Sequence, residues 1–168
     1  MRETDIRHAR ESDLPALLAV YNHYVAGTHI TFDVEPRTLE QRHDWLKSFA
    51  AAGRHQCFVA EEDGVAVGWA SSGKFKDRAA YDTSVETSVY LAPDAQGRGL
   101  GRRLYAALFA ALAKEDVHRA FGGIALPNEA SVGLHRAMGF ALCGTYREVG
   151  RKFGRFWDVA WFERAVNE

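Results

Sequence analysis

Three sets of residues in this chain have the types and spacing to do chemistry. The first is Gln96-Gly97-Arg98-Gly99-Leu100-Gly101, set between a strand-like run and a strongly helical one. Glycines at 97, 99 and 101 permit a tight turn that aims backbone N–H groups from the positive end of the following helix, which suits a pyrophosphate. Neither of the commoner phosphate loops is present. A dinucleotide fingerprint needs glycine where Arg102 stands, and no Gly-Lys-Ser/Thr occurs. The second is Glu86, which strand alternation places with Ser84, Ser88 and Tyr90, opposite Val85 and Val89. It reads either as a general base on a cleft wall or as an exposed carboxylate in a salt bridge. The third is Asn128, Ser131, His135 and Gly139-Phe140, with His135 about two helical turns beyond Asn128. An imidazole there can move a proton near neutral pH or pack against a sheet. Tyr105 is a second candidate acid, or core packing.

These groups need elements to hold them. Residues 84–91 alternate and are rich in β-branched side chains, which predicts a strand, and Leu100, Leu104, Leu108 and Leu112 mark the buried face of a helix. A first strand is expected over residues 6–9. Ser12 and Pro15 open a helix burying Leu14, Leu17, Leu18, Tyr21, Tyr24 and Val25, which ends at Gly27. Thr38 and Gln41 form a capping box for a second helix burying Leu39, Trp45, Leu46 and Phe49. Residues 56–61 and 65–75 read as strands joined at Asp63-Gly64, with a polar loop over 76–83. Residues 120–126 make another strand, a helix runs from Pro127-Asn128 to Gly139, and two last strands cover 140–146 and 156–162. Between these lies a basic turn from Val149 to Gly154. The expected class is α/β, in the mixed α+β sense, with a mostly antiparallel sheet of six to seven strands and about four helices in one domain over residues 1–168.

Bulk properties remove several function classes. A net charge of −1 gives no basic field for nucleic acid or anionic membrane, and no apolar run or signal pattern is long enough to span or target a membrane. Cytoplasmic residence is expected. Cys57 and Cys143 form no Cys-x-x-Cys pair and are expected as buried free thiols. The seven histidines show no metal-binding spacing, so no metal is expected.

The loop matches Gln/Arg-x-x-Gly-x-Gly/Ala, and Asn128, Ser131, His135 and Gly139-Phe140 follow in the order Asn-x-x-Ala/Ser-x-x-x-Tyr-x-x-x-Gly-Phe. Together they resemble the GCN5-related N-acetyltransferases, with His135 where many members carry a tyrosine acid. Over nearly the whole chain, Thr31-Phe32, Ser84-Val85-Glu86, Leu126-Pro127-Asn128, Leu134-His135 and Gly150-Arg151-Lys152-Phe153-Gly154 resemble the phosphinothricin and methionine sulfoximine N-acetyltransferases. That resemblance implies a GNAT fold, acetyl-CoA as co-substrate, and acetylation of the α-amino group of a glutamate-like inhibitor, hence herbicide resistance. It implies catalysis by Glu86 and His135. It puts acetyl-CoA against Val89, Tyr90, Leu91, the run Gly97, Arg98, Gly99, Leu100, Gly101 and Arg102, and Asn128. It puts acceptor against Lys76, Asp77, Arg78, Glu86, Thr87 and Ser88, and implies a homodimer.

The residues add detail. Arg98, Arg102 and Arg103 bring positive charge near the phosphates, although any one can be a solvated helix residue. Lys74, Lys76 and Arg78 can clamp acid groups or form an exposed basic loop. Phe32, Phe75 and Tyr81 can wall the acceptor pocket or pack in the core, and Trp157 and Trp161 belong to the core or a dimer interface. A backbone N–H near Tyr90-Leu91 can serve the thioester oxygen, freed by a β-bulge after Tyr90. The competing functions are a GNAT enzyme with another amine acceptor, such as a polyamine, a ribosomal protein N-terminus or an aminoglycoside, and an acyl-CoA-binding module without turnover.

Overall fold

A computed structural model describes residues 3–167. Seven strands form one sheet: β1 (Thr4–His8), β2 (Cys57–Glu62), β3 (Val65–Lys74), β4 (Ser84–Leu91), β5 (Arg119–Ala125), β6 (Ala141–Lys152) and β7 (Arg155–Ala165). Their order is β1-β2-β3-β4-β5-β7-β6, and every pairing is antiparallel except β4 with β5. The helices are α1 (Leu14–Gly27), α2 (Leu39–Leu46), α3 (Leu100–Leu112) and α4 (Glu129–Ala137). No helix among the described residues is long and apolar enough to cross a membrane.

Strand alternation divides the core into two layers. On one face Cys57, Val59 and Trp69 pack with Leu17, Val20 and Tyr24 of α1. On the other, Phe58, Ala70, Val85 and Ala120 pack with Leu104, Leu108 and Leu112 of α3, whose fourfold leucine spacing is fully used. The opening between the layers comes from one pairing. Strand β4 meets β5 only at Ser84–Arg119, Val85–Ala120 and Glu86–Phe121, and the two strands then part company.

Several expectations need correction. No bulge follows Tyr90: Tyr90 pairs with Trp69, Leu91 with Gly68, and Ala92 N–H donates to Val67 O at 2.7 Å without a slip. The splay is made by the short β4–β5 pairing instead. Asp13, not Ser12, stands before α1. Its carboxylate accepts from Arg10 N at 2.9 Å and from Arg7 at 2.8 Å, so a 3-10 turn over Glu11–Asp13 replaces the expected first turn. The Thr38–Gln41 capping box forms on α2, but Leu39 is exposed and Arg42 takes the buried position. Strands β6 and β7 run much further than expected. Residues 149–152 belong to β6, and Phe153-Gly154 alone makes the turn, both with positive φ. Two register shifts in β6 absorb the extra length. Cys57 is buried as expected, whereas Cys143 lies exposed on β6.

Candidate active site

The glycine loop opens a cleft. After β4 a 3-10 turn at Pro93–Ala95 leads to Gly97 and Gly99, at φ 70° and 78°, a region side chains disfavour. Gly99 precedes α3, and no side chain caps that helix, so its first-turn N–H groups remain available to an anion. Gly101 allows α3 to approach α4: a Cβ there would stand 3.0 Å from Leu134 Cδ2. The cleft has a volume of about 770 Å³ and is walled by Thr87 to Leu91, the loop, the start of α3, Gly123 to Ala125 and α4. Of the three arginines, Arg102 lines it. The Arg98 guanidinium is held by buried Glu62 at 2.5 and 3.1 Å, and Arg103 donates to Thr4 O at 2.8 Å. Asn128 also lines the cleft while its Oδ1 accepts from Ser131 N at 3.2 Å, capping α4.

Under β4, on the α3–α4 face, lies a closed polar chain. His135 is 3 % exposed. Its Nδ1 lies 2.8 Å from Ser131 O, a carbonyl that only accepts, so Nδ1 carries the proton and Nε2 accepts from the Tyr105 hydroxyl at 3.0 Å. Thr87 Oγ1 donates to Phe121 O at 3.3 Å. Gly122 makes room for the imidazole, since a Cβ there would fall 2.7 Å from Nε2. Burial pushes the His135 pKa down and the Tyr105 pKa up, so both are neutral near pH 7.

The opposite face is open. Glu86 is half-buried, and burial alone pushes its carboxyl up. It makes no hydrogen bond or ion pair among the described residues. Glu86 precedes the cleft wall: Thr87 and Ser88 line the cleft and Glu86 does not. Glu86 lies in register between Gly73 of β3 and Phe121 of β5. Phe121 stacks on Phe75 at 4.3 Å, with Trp161 and Tyr81 edge-on to Phe75 at 6.2 and 5.9 Å. Trp157 instead stacks on His29 at 4.1 Å.

A second cavity of about 450 Å³ opens on this face, bordered by α1, α2, the 31–37 loop and the middle of β3 and β4. Ser88 and Tyr90 line both it and the cleft, so the two spaces meet at β4. Arg42 lies on its wall, and nothing in the sequence marks it: it is one charged residue in a polar helix, three before Trp45. Tyr24 was also missed as more than core; its hydroxyl donates to Leu91 O and accepts from Gln96 Nε2 at 2.6 Å, fixing the end of β4.

The remaining expected residues fall outside both spaces. Lys76, Asp77 and Arg78 are exposed on the loop before β4. Asp77 pairs with Lys74 at 3.3 Å, and the Lys76 ammonium sits over the rings of Phe75 and Tyr81. Phe32 packs on Gly150, where a Cβ would come within 2.1 Å of its ring. Beside it, the buried Lys152 ammonium donates to Thr31 O at 2.8 Å. The basic turn of the sequence is thus a tie to the 31–33 loop.

Residues 6–161 match the acetyltransferase (GNAT) domain family. The chain is 56 % identical over 166 residues to a phosphinothricin N-acetyltransferase of Streptomyces coelicolor, covering 98 % of this chain and 97 % of that one. It is 35 % identical over 158 residues to an L-methionine sulfoximine/L-methionine sulfone acetyltransferase of Pseudomonas paraeruginosa, covering 94 % and 92 % of the two chains. Its fold matches, with a TM-score of 0.92 and 29 % identity, the crystal structure of a GNAT superfamily phosphinothricin acetyltransferase from Sinorhizobium meliloti in complex with acetyl-CoA, over 98 % of this chain and 89 % of that one.

Proposed function

The chain belongs to the acetyltransferase (GNAT) family, and from that premise we propose that it moves the acetyl group of acetyl-CoA to the α-amino group of a small amino acid analogue such as phosphinothricin, methionine sulfoximine or methionine sulfone. The observation that carries this reading is the meeting of two cavities at Ser88 and Tyr90, one with an uncapped helix N-terminus and one without. Two reactants can reach one strand from opposite sides. The 168 residues work as one domain.

Acetyl-CoA supplies the thioester. The residues present fit it: the N–H groups of Gly97 to Gly101 and Arg102 receive the pyrophosphate, and Val89 to Leu91 offer backbone to the pantetheine arm. Glu86 takes a proton from the incoming ammonium, directly or through one water, and its raised pKa brings it nearer the working pH of a base. The freed amine forms the N–C bond as the C–S bond breaks, and the proton that nitrogen sheds on becoming an amide passes to the departing sulfur, so that CoA leaves as its thiol. Neutral Tyr105 and His135 are weaker acids than a thiol of pKa about 8.5. Neither therefore protonates the departing sulfur: the Tyr105 hydroxyl gives its one proton to His135 Nε2, and the two act as positioning residues beneath β4. Phe32 and Tyr81 flank the acceptor's approach, while on the exposed loop before β4 Lys76 and Arg78 attract its acid groups and Asp77 its ammonium.

The protein acts in the cytoplasm, where acetyl-CoA is drawn on, and confers resistance to the inhibitor that it acetylates. It pairs as a homodimer through β6, an edge strand that exposes Leu142, Tyr146 and Val149. Light scattering reads the mass, and a monomer at micromolar concentration rejects that pairing.

The deciding test is CoA release, by thiol titration, with phosphinothricin, methionine sulfoximine, methionine sulfone, ordinary amino acids, spermidine and an aminoglycoside. Saturable turnover confined to the first three is the expected outcome. Turnover only with spermidine or the aminoglycoside replaces the acceptor. Silence with acetyl-CoA still bound makes the chain an acyl-CoA-binding module.

A further inference from the structure

Arg42 is 6 % exposed, and its Nε and Nη2 find no hydrogen-bond acceptor among the described residues. Buried cations are ordinarily paired, and one left alone carries an uncompensated desolvation penalty. Aromatic faces offset part of it here. The guanidinium carbon lies 3.5 Å from the Trp45 ring centre, 4.7 Å from Tyr21 and 4.8 Å from Trp69. Rings can hold the flat faces of a guanidinium, but they leave its N–H edge without an acceptor.

The one carboxylate on the wall of this cavity is already committed. Asp33 accepts from Arg37 Nε at 2.8 Å and Nη2 at 2.6 Å, and from the Tyr21 hydroxyl at 2.5 Å. Two arginines and one carboxylate line the space, leaving a single positive charge on Arg42. Burial holds that group down at about 10, still a cation at neutral pH. The basic residues that sequence favoured for gripping an acid, Lys76 and Arg78, stand on the exposed loop instead.

We propose that Arg42, boxed by Tyr21, Trp45 and Trp69 on the cavity that meets the cleft at Ser88, is the receptor for the acid group of the acceptor. The inference rests on the amino acid reading above and deepens it. An anionic oxygen pair entering from the β4 side completes the missing hydrogen bonds and neutralises the site. An acceptor with no acid group leaves Arg42 unpaired, so the residue selects amino acids over simple amines. The shared chemistry is an anionic oxygen pair, from either the α-carboxylate or the distal acid head.

The test is binding without acetyl-CoA, by calorimetry, of methionine sulfone, its α-carboxamide and phosphinothricin to wild type and Arg42→Met. Methionine sulfone has one acid group, and phosphinothricin has two. Expected is a loss of about 10- to 100-fold for methionine sulfone in Arg42→Met, little change for the carboxamide, and an unchanged KM for acetyl-CoA. A loss confined to phosphinothricin also supports the receptor and assigns it to the distal head. Equal losses for acid and carboxamide make Arg42 a packing residue and overturn the proposal. Unchanged binding of both acids overturns it while leaving the amino acid reading intact. Wild type that binds neither acid overturns both. If Arg42→Met does not fold, Arg42→Lys is read the same way, with a loss of about 3- to 10-fold for the acid alone.

Discussion

The two faces of β4 differ in what their polar groups have already found. Beneath it, Thr87, Tyr105 and His135 satisfy one another and the backbone in a buried chain. Above it, Glu86 and Arg42 have no hydrogen-bond partner among the described residues although both are substantially buried. A satisfied network fixes positions and gains nothing from a ligand. Unsatisfied groups hold their free energy in reserve until something binds. On the proposed reading the lower face positions, and the upper transfers the proton and recognises the acceptor.

The sharpest way to break that division is Glu86→Gln. If Glu86 is the base, kcat falls by roughly two to four orders of magnitude with the acetyl-CoA KM unchanged. Steady-state kinetics at several pH values decides, and near-wild-type rates return the chemistry to His135. The wild-type acid limb belongs to the same test. A carboxyl raised by burial is a base only above its raised pKa, so kcat/KM drops as pH falls through a value above the usual carboxylate range. That limb vanishes in Glu86→Gln.

Tyr105→Phe comes next. It removes one neutral hydrogen bond and leaves His135 Nε2 without its donor, so we expect about 1–3 kcal/mol less stability by thermal unfolding and roughly a tenfold lower kcat. A loss as deep as that of Glu86→Gln would put the chemistry on both faces. Gly150→Ala acts on the acceptor side alone. Its Cβ displaces the Phe32 ring, which raises the acceptor KM about 3- to 10-fold and leaves acetyl-CoA binding alone. Equal effects on both substrates would mean that the 31–33 loop serves the cleft as well. The smallest change is Leu39→Ser, within about 0.5 kcal/mol by denaturant titration, because Leu39 is exposed beside the buried Arg42.

What was legible in the sequence was local. Alternation over residues 84–91, the glycine loop, the Thr38–Gln41 box and the Leu100–Leu112 stripe each report a period or cap set within a few residues, and all four form. What was illegible depends on partners far along the chain. Arg42 is buried because Tyr21, Trp45 and Trp69 converge on it from one helix, its own helix and a strand. Helical periodicity offered Leu39 to the core, but Leu39 projects to solvent. The cleft has no local signature either, since it arises where β4 and β5 stop pairing. Strand β6 overran its expected end because an exposed edge strand carries polar residues on both faces and reads as loop.

The Lys152–Thr31 tie joins residues 121 positions apart. During synthesis at about 5–20 residues per second, the 31–33 loop is therefore made roughly 6–24 s before the lysine that anchors it. The residues of β1 to β4, the glycine loop and α3 are likewise all made before that anchor exists. The cleft itself is completed later still, because β5, which walls it, pairs along its whole length with β7, so a chain cut before residue 152 lacks both the anchor of the 31–33 loop and the partner strand of β5.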